Sequence, residues 1–287
     1  MRYLIFAKGG IESEIGSLLA QKIAVRDLSA EITQSHEVKN VRSLLVQEQF
    51  DFFIEVAPTP TVSLFKKGRK KQVHTCFIWN SVLSEDRSIS RSLTADLIYT
   101  DLPFSISRVR FVGSPLFDLV KARLPAIDPA PVSRLLIGIL TDKNTLPLAR
   151  VLSKKLTKTG TAEVEIAIVS RQFDHAISIL SKSNVCFVFN DLSQLVAAYL
   201  NCPAVRIDRN SIFSRRGKSL AGEMIDKINL PRYKPRKLRL AIAEAKRLVE
   251  DHQYCADMLV RYQIVKNRLG GSSAIKKIVE ELLEMMN

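Results

Sequence analysis

The chain has 287 residues, 46% of them hydrophobic, and a formal net charge of +14. That length carries two cores of ordinary domain size, and no apolar run reaches the roughly 20 residues of a membrane-spanning helix. The charge asks for an anionic partner, whether nucleic acid, an acidic lipid surface or a phosphorylated substrate. The apolar start up to Lys8 is too short for a secretory leader, and Gly9-Gly10-Ile-Glu-Ser-Glu follows it instead of a small-residue cleavage site. A cytoplasmic protein is expected. Cys76, Cys186, Cys202 and Cys255 form no CxxC, and His36, His74, His175 and His252 are scattered. These patterns predict free thiols in cores, no metal and no cofactor.

Arg2 to Ala7 reads as a strand, Gly9-Gly10 as a turn and Ile11 to Ile23 as a helix, the opening of a βαβ unit. Val38 to Gln49 predicts an amphipathic helix. It runs into the nearly continuous apolar run Asp51 to Ala57, which suits a parallel strand covered on both faces. A short helix over Thr61 to Lys67 follows, then strands at Val73 to Trp79, Asp96 to Thr100 and Arg110 to Val112. Leu124-Pro-Ala-Ile-Asp-Pro-Ala-Pro131 has the composition of a linker. The alternation then restarts. Strands are predicted at 135–140, 163–169, 185–189 and 204–207, with helices at 146–156, 173–180 and 192–200. A long helical stretch over Arg239 to Arg268 and a last amphipathic helix from Ser273 complete the chain. The expected fold is α/β, two Rossmann-like domains facing a cleft. The domains run over 1–123 and 133–235, joined by a linker at 124–132, with helices over 236–287 closing the structure.

Several segments resemble lipid A disaccharide synthase, a glycosyltransferase of the two-Rossmann, GT-B type. Phe111-Val-Gly-Ser-Pro-Leu-Phe-Asp118 is similar to the family's F-V-G-H-P-L-x-D, and Asp51 to Pro58 to its D-V-F-I-G-I-D-A-P. Leu102-Pro103-Phe104 resembles its L-P-F, and Arg268-Leu-Gly-Gly-Ser-Ser-Ala274 its closing L-G-x-x-G-A. The resemblance implies transfer of an acylated glucosamine from a UDP donor to an acylated glucosamine 1-phosphate at a membrane surface. It places the protein in the cytoplasm, peripheral on the inner face of the cytoplasmic membrane. An acylated, phosphorylated acceptor and anionic lipid are then the expected partners. The basic run 66–71 fits such a surface, and the runs 215–218 and 232–239 add to the case for an anionic partner. No aromatic-interleaved basic motif or helix-turn-helix signature supports nucleic acid.

The sequence also departs from the family. Ser114 stands where it has histidine, and Thr59 where it has an acidic residue after A-P. Its P-G-S-R turn falls on Thr141-Asp142-Lys143-Asn144, and its S-G-T-x-T-L-E segment on Asn190-Asp191-Leu192-Ser193-Gln194-Leu195-Val196. Valine accepts no hydrogen bond where a glutamate would grip ribose. Glu12, Glu14 and Glu55 are the candidate general bases. Thr141, Asp142, Lys143, Asn144, Asn190, Asp191, Ser193, Gln194 and Arg206 are the donor-side candidates, with Lys143 or Arg206 supplying charge near the departing nucleotide. Gly9, Gly10, Thr59, Trp79 and Ser114 are the acceptor-side candidates. The alternative is a noncatalytic relative that binds an anionic lipid, a nucleotide or a protein.

Overall fold

Phe52, Phe53, Ile54 and Val56 put apolar side chains on both faces of one strand, and all four are buried. Such a strand is stable only inside a sheet covered on both sides. The computed structural model describes residues 1–58, 60–79, 95–102, 106–124, 135–158, 162–208, 231–271 and 273–285. It divides into two units, Met1–Leu119 with Leu269–Asn287, and Val120–Arg268. The linker 124–132 lies almost wholly outside the described residues, as does the basic run 215–218.

In the first unit the strands are β1 (Arg2–Ala7), β2 (Glu31–Ser35), β3 (Phe52–Val56), β4 (His74–Trp79), β5 (Leu97–Thr100) and β6 (Val109–Phe111). They form one parallel sheet in the order β2-β1-β3-β4-β5-β6. The helices are α1 (Ile11–Arg26), α2 (Val38–Gln47), α3 (Val62–Lys70) and α4 (Pro115–Arg123), whose end reaches into the second unit. Ile11, Ile15 and Leu19 of α1 are buried in the core. Phe65 of α3 packs at 5.5 Å from Phe53 and at 6.0 Å, edge-on, from Phe77.

In the second unit the strands are β7 (Leu135–Thr141), β8 (Ala162–Ile168), β9 (Val185–Val188), β10 (Ala204–Ile207) and β11 (Arg232–Tyr233). They are again parallel, in the order β11-β10-β9-β7-β8. Helices α5 (Leu146–Thr157), α6 (Phe173–Lys182) and α7 (Asp191–Tyr199) alternate with them, and α8 (Leu238–Glu250) and α9 (His252–Arg268) follow. The last helix, α10 (Ala274–Glu284), returns to the first unit and packs on α1.

The expected elements are present, with five differences, one of them the unexpected two-residue edge strand β11. β2 was not expected. Its sequence Glu-Ile-Thr-Gln-Ser is polar at all but one position because it is an edge strand paired only to β1. α4 was also not expected, although Pro115 is its first residue, where a missing N–H costs nothing. The stretch 239–268 is two helices. Asp251 is extended, with φ −99° and ψ 91°, and its Oδ1 accepts the Tyr254 N–H at 2.9 Å to start α9. The closing helices are divided between the units, α8 and α9 with the second and α10 with the first.

The two segments that carry most of the family resemblance meet in the first unit. Gly113 has φ +103° and Gly270 φ +76°, and a Cβ on Gly270 would lie 2.7 Å from the Gly113 Cα. Only a pair of glycines permits that approach. Five residues after Gly113, Asp118 accepts the Ile275 N–H at 2.8 Å, at the first turn of α10. Arg110 adds an ion pair to Glu281 at 3.1 Å. Gly270→Ala forces backbone against backbone in a left-handed conformation. It is expected to destabilise the first unit by about 2–3 kcal/mol, seen as a lower urea midpoint for that unit, whereas Ala at the open Gly271 position costs only its strain.

Candidate functional site

In open parallel sheets, ligands bind beyond the carboxyl ends of the strands where the strand order reverses. The first sheet reverses between β1 and β3, and the second between β7 and β9. In the first unit that point is bounded by Gly9, Gly10 and the residues after Val56. In the second it is bounded by Thr141 to Thr145 and by Phe189 to Ser193. Most of the candidates read from the sequence lie at these two points.

At the first point, Gly9 (φ +102°) and Gly10 (φ +62°) turn the chain from β1 into α1. Glu12 follows on the first helical turn and is half-buried. Burial pushes its carboxyl above the ordinary range, and its own backbone N–H partly offsets this. Glu14 lies one residue pair further along the same turn. Glu55 is fully buried. Both its oxygens accept the Thr61 N–H at 3.0 Å, and Oε1 also accepts the Thr61 hydroxyl at 2.7 Å. Burial raises its pKa to about 7, against the Thr61 hydrogen bonds and the Lys8 charge. Its geometry is that of an anchor for the turn after β3. Trp79 ends β4 and Ser114 precedes α4, and both are buried. The Ser114 hydroxyl has no hydrogen-bond partner among the described residues. Thr59 lies outside the described residues.

His36, just past β2, was not singled out by the sequence. Its Nδ1 lies 2.9 Å from the Ala7 carbonyl oxygen. That oxygen can only accept, so Nδ1 carries the proton and a neutral ring keeps its Nε2 lone pair. Ser13 Oγ lies 3.4 Å from the same nitrogen. Without β2 the residue had no place at a strand end, which is why it was passed over.

At the second point, the turn after β7 is filled by its own side chains. Asp142 Oδ1 accepts the N–H groups of Asn144 and Thr145, each at 2.8 Å, and the Thr145 hydroxyl at 3.1 Å. The Thr141 and Thr145 hydroxyls are 2.7 Å apart. Lys143 and Asn144 are exposed at the tip. Asn190 caps α7 by accepting the Ser193 N–H at 2.8 Å. Ser193 is buried, and its hydroxyl has no partner among the described residues. Val196 is a core residue of the same helix. Arg206 is 14% exposed and bonded on three sides. It pairs with Asp191, donates to Gln194 Oε1 at 2.8 Å, and pairs with Asp208 at 2.8 Å. Burial works against its charge, and the two carboxylates more than offset that, so its pKa lies above the ordinary value. Two carboxylates therefore already balance the cation that was expected to face a diphosphate. Among the described residues no group of three or more His, Cys, Asp or Glu side chains could hold a metal ion.

No protein-family model matches the sequence, and no curated protein matches it. Solved structures do match along the whole chain. One is the UDP co-structure of S. aureus MnaA, with 12% identity, 100% of this chain and 97% of the other covered, and a TM-score of 0.69. A second is MurG of Acinetobacter baumannii, with 8% identity, 99% of each chain covered and a TM-score of 0.63. A third is the UDP-GlcNAc 2-epimerase of Methanocaldococcus jannaschii, with 12% identity, coverage of 99% and 100%, and a TM-score of 0.61. Two parallel-sheet α/β units in this arrangement along the sequence make the fold GT-B.

Two measurements check the site's electrostatics. Glu55 binds its proton more tightly folded than unfolded, so its contribution to stability falls as pH rises from about 4.5 to about 7. The penalty is on the order of 3 kcal/mol when fully developed. Glu55→Gln is expected to flatten that part of the stability curve, as read by denaturant titration at about pH 5 and about pH 8, either side of its folded titration. Arg206→Leu removes a short ion pair from the partly buried Asp191 and is expected to cost about 2 kcal/mol. That is less than a fully buried pair would lose, because both carboxylates keep some solvent.

Proposed function

We propose that the chain is a UDP-sugar glycosyltransferase of the lipid A disaccharide synthase kind, transferring an acylated glucosamine to an acylated glucosamine 1-phosphate. The observation that carries this reading is the coincidence of two lines. The fold is GT-B along its whole length, and the family-like segments 111–118 and 268–274 pack on each other in the first unit. The first unit would hold the acceptor and the second the nucleotide. The similar structure of S. aureus MnaA was solved with UDP, which supports a UDP donor here.

The chemistry needs a base at the acceptor hydroxyl and positive charge at the leaving diphosphate. As the acceptor oxygen bonds to the sugar carbon, the bond to UDP breaks and the acceptor proton passes to the base. Glu12 is the best placed of the three glutamates. It stands beside the Gly9-Gly10 turn, and its raised pKa makes it a stronger base. Lys143 supplies a point charge at the tip of the β7 turn, without an arginine's bidentate geometry. The acceptor's acyl chains place the enzyme at an anionic membrane surface on the cytoplasmic side. The basic residues of α3 and Lys71 would face that surface. Among the described residues no helix is long and apolar enough to cross a membrane.

A second reading is favoured by the filled β7 turn, the balanced Arg206 and the core valine at 196. It is a noncatalytic relative that keeps the fold and binds lipid, nucleotide or protein. Calorimetric titration with UDP separates the two. The transferase reading expects micromolar binding, weakened by Asn190→Ala and Lys143→Ala, and a turnover loss of roughly 10²–10⁴-fold in Glu12→Gln with little change in KM. No heat at millimolar UDP would favour the noncatalytic relative.

A further inference from the structure

The transferase reading leaves the basic run 232–239 without a role. It borders a groove of about 610 Å³ in the second unit, lined by Leu148, Val151 and Lys155 of α5 and by residues 235–240 around the start of α8. Segments 146–158 and 232–243 together hold nine lysines and arginines and no carboxylate. Lys155, Arg236, Lys237 and Arg239 line the groove, are exposed, and make no ion pair among the described residues. Arg236, Lys237 and Arg239 crowd the amino-terminal end of α8, where the helix dipole disfavours cations. Between the charges stand two large apolar side chains in water, Val151 at 47% and Leu240 at 53% exposure.

We infer that this groove is a docking surface for an anionic lipid bilayer. Charge complementarity selects the occupant's sign. The apolar pair selects a bilayer over a soluble polyanion, because Val151 and Leu240 gain by leaving water only if the partner offers an apolar interior. Cations on the rim meet headgroup phosphates while the two side chains enter the boundary below them. The inference deepens the membrane partner of the proposed reading by assigning it a second surface besides α3, and its premises do not depend on a nucleotide site.

The test is flotation of the full chain with phosphatidylcholine vesicles, with and without phosphatidylglycerol, at low and high salt. Thermal melting checks that each variant is folded. Wild type is expected to float with the anionic vesicles at low salt and to stay behind with pure phosphatidylcholine. Neutralising a groove cation, as in Arg236→Gln or Arg239→Gln, is expected to weaken partition roughly fivefold per charge. The double variant Val151→Asp with Leu240→Asp is expected to abolish it. Retained flotation of that double variant would overturn the inference, and so would loss only on neutralising Lys66, Lys67, Lys70 and Lys71. Binding of a duplex oligonucleotide that the charge variants lose and the apolar variant keeps would overturn it in favour of a polyanion site. UDP titration of the same proteins is scored separately, so a failed donor site and a failed lipid site are different results.

Discussion

A parallel strand covered on both faces can carry chemistry only at its ends, and this constraint organises both units. The middle strands of each sheet are apolar along their length because helices lie on either side of them. Polar groups within them are costly unless bonded. Glu55 is the exception that shows the cost. It is the one acid fully buried within a strand among the described residues, and Thr61 spends its backbone and its hydroxyl on it. Arg206, within β10, is likewise held by partners, Asp191 and Asp208, and most of the remaining candidates collect in the turns after β1, β3, β7 and β9, where the strand order reverses.

This explains what was legible in the sequence. The strands β1, β3, β7 and β9 announce themselves as apolar runs, so the turns that follow them, and the candidates in those turns, could be placed from the sequence. β2 and β11 are edge strands, with polar or basic residues facing water, and carry no such signal. Losing β2 also lost His36. Partnerships between distant residues were not legible at all. Nothing in the spacing of Asp191, Arg206 and Asp208 says that they converge, because that depends on the pairing of β9 with β10 and on the start of α7. Burial of Ser114 and Val196 likewise follows from tertiary packing alone.

The family-like segments owe part of their resemblance to packing. In Phe111 to Asp118 the glycine admits the backbone of Gly270, and the aspartate caps α10. These roles return the end of the chain to the first unit and require no substrate. A glycine pair in backbone contact tolerates no side chain, and a buried helix start needs an acceptor. Such positions constrain any chain with this connectivity, whatever it binds. They therefore bear on the fold more directly than on the reaction.

The donor side turns on a competition. A phosphate entering the turn after β7 would seek the N–H groups that Asp142 already holds. Displacing the carboxylate gives up three hydrogen bonds, each worth about 1 kcal/mol net. The phosphate's own charge-assisted bonds would be of similar or greater strength, but the displaced Asp142 would remain nearby as a like charge. The exchange is close to neutral, so a nucleotide would need affinity from elsewhere in the site. Arg206 does not supply it freely, since Asp191 and Asp208 balance it. Lys143 is exposed, and solvent screens its charge. Donor affinity in this unit would then rest chiefly on contacts to the base and ribose near Asn190 at the start of α7, since Gln194 is buried and held by Arg206.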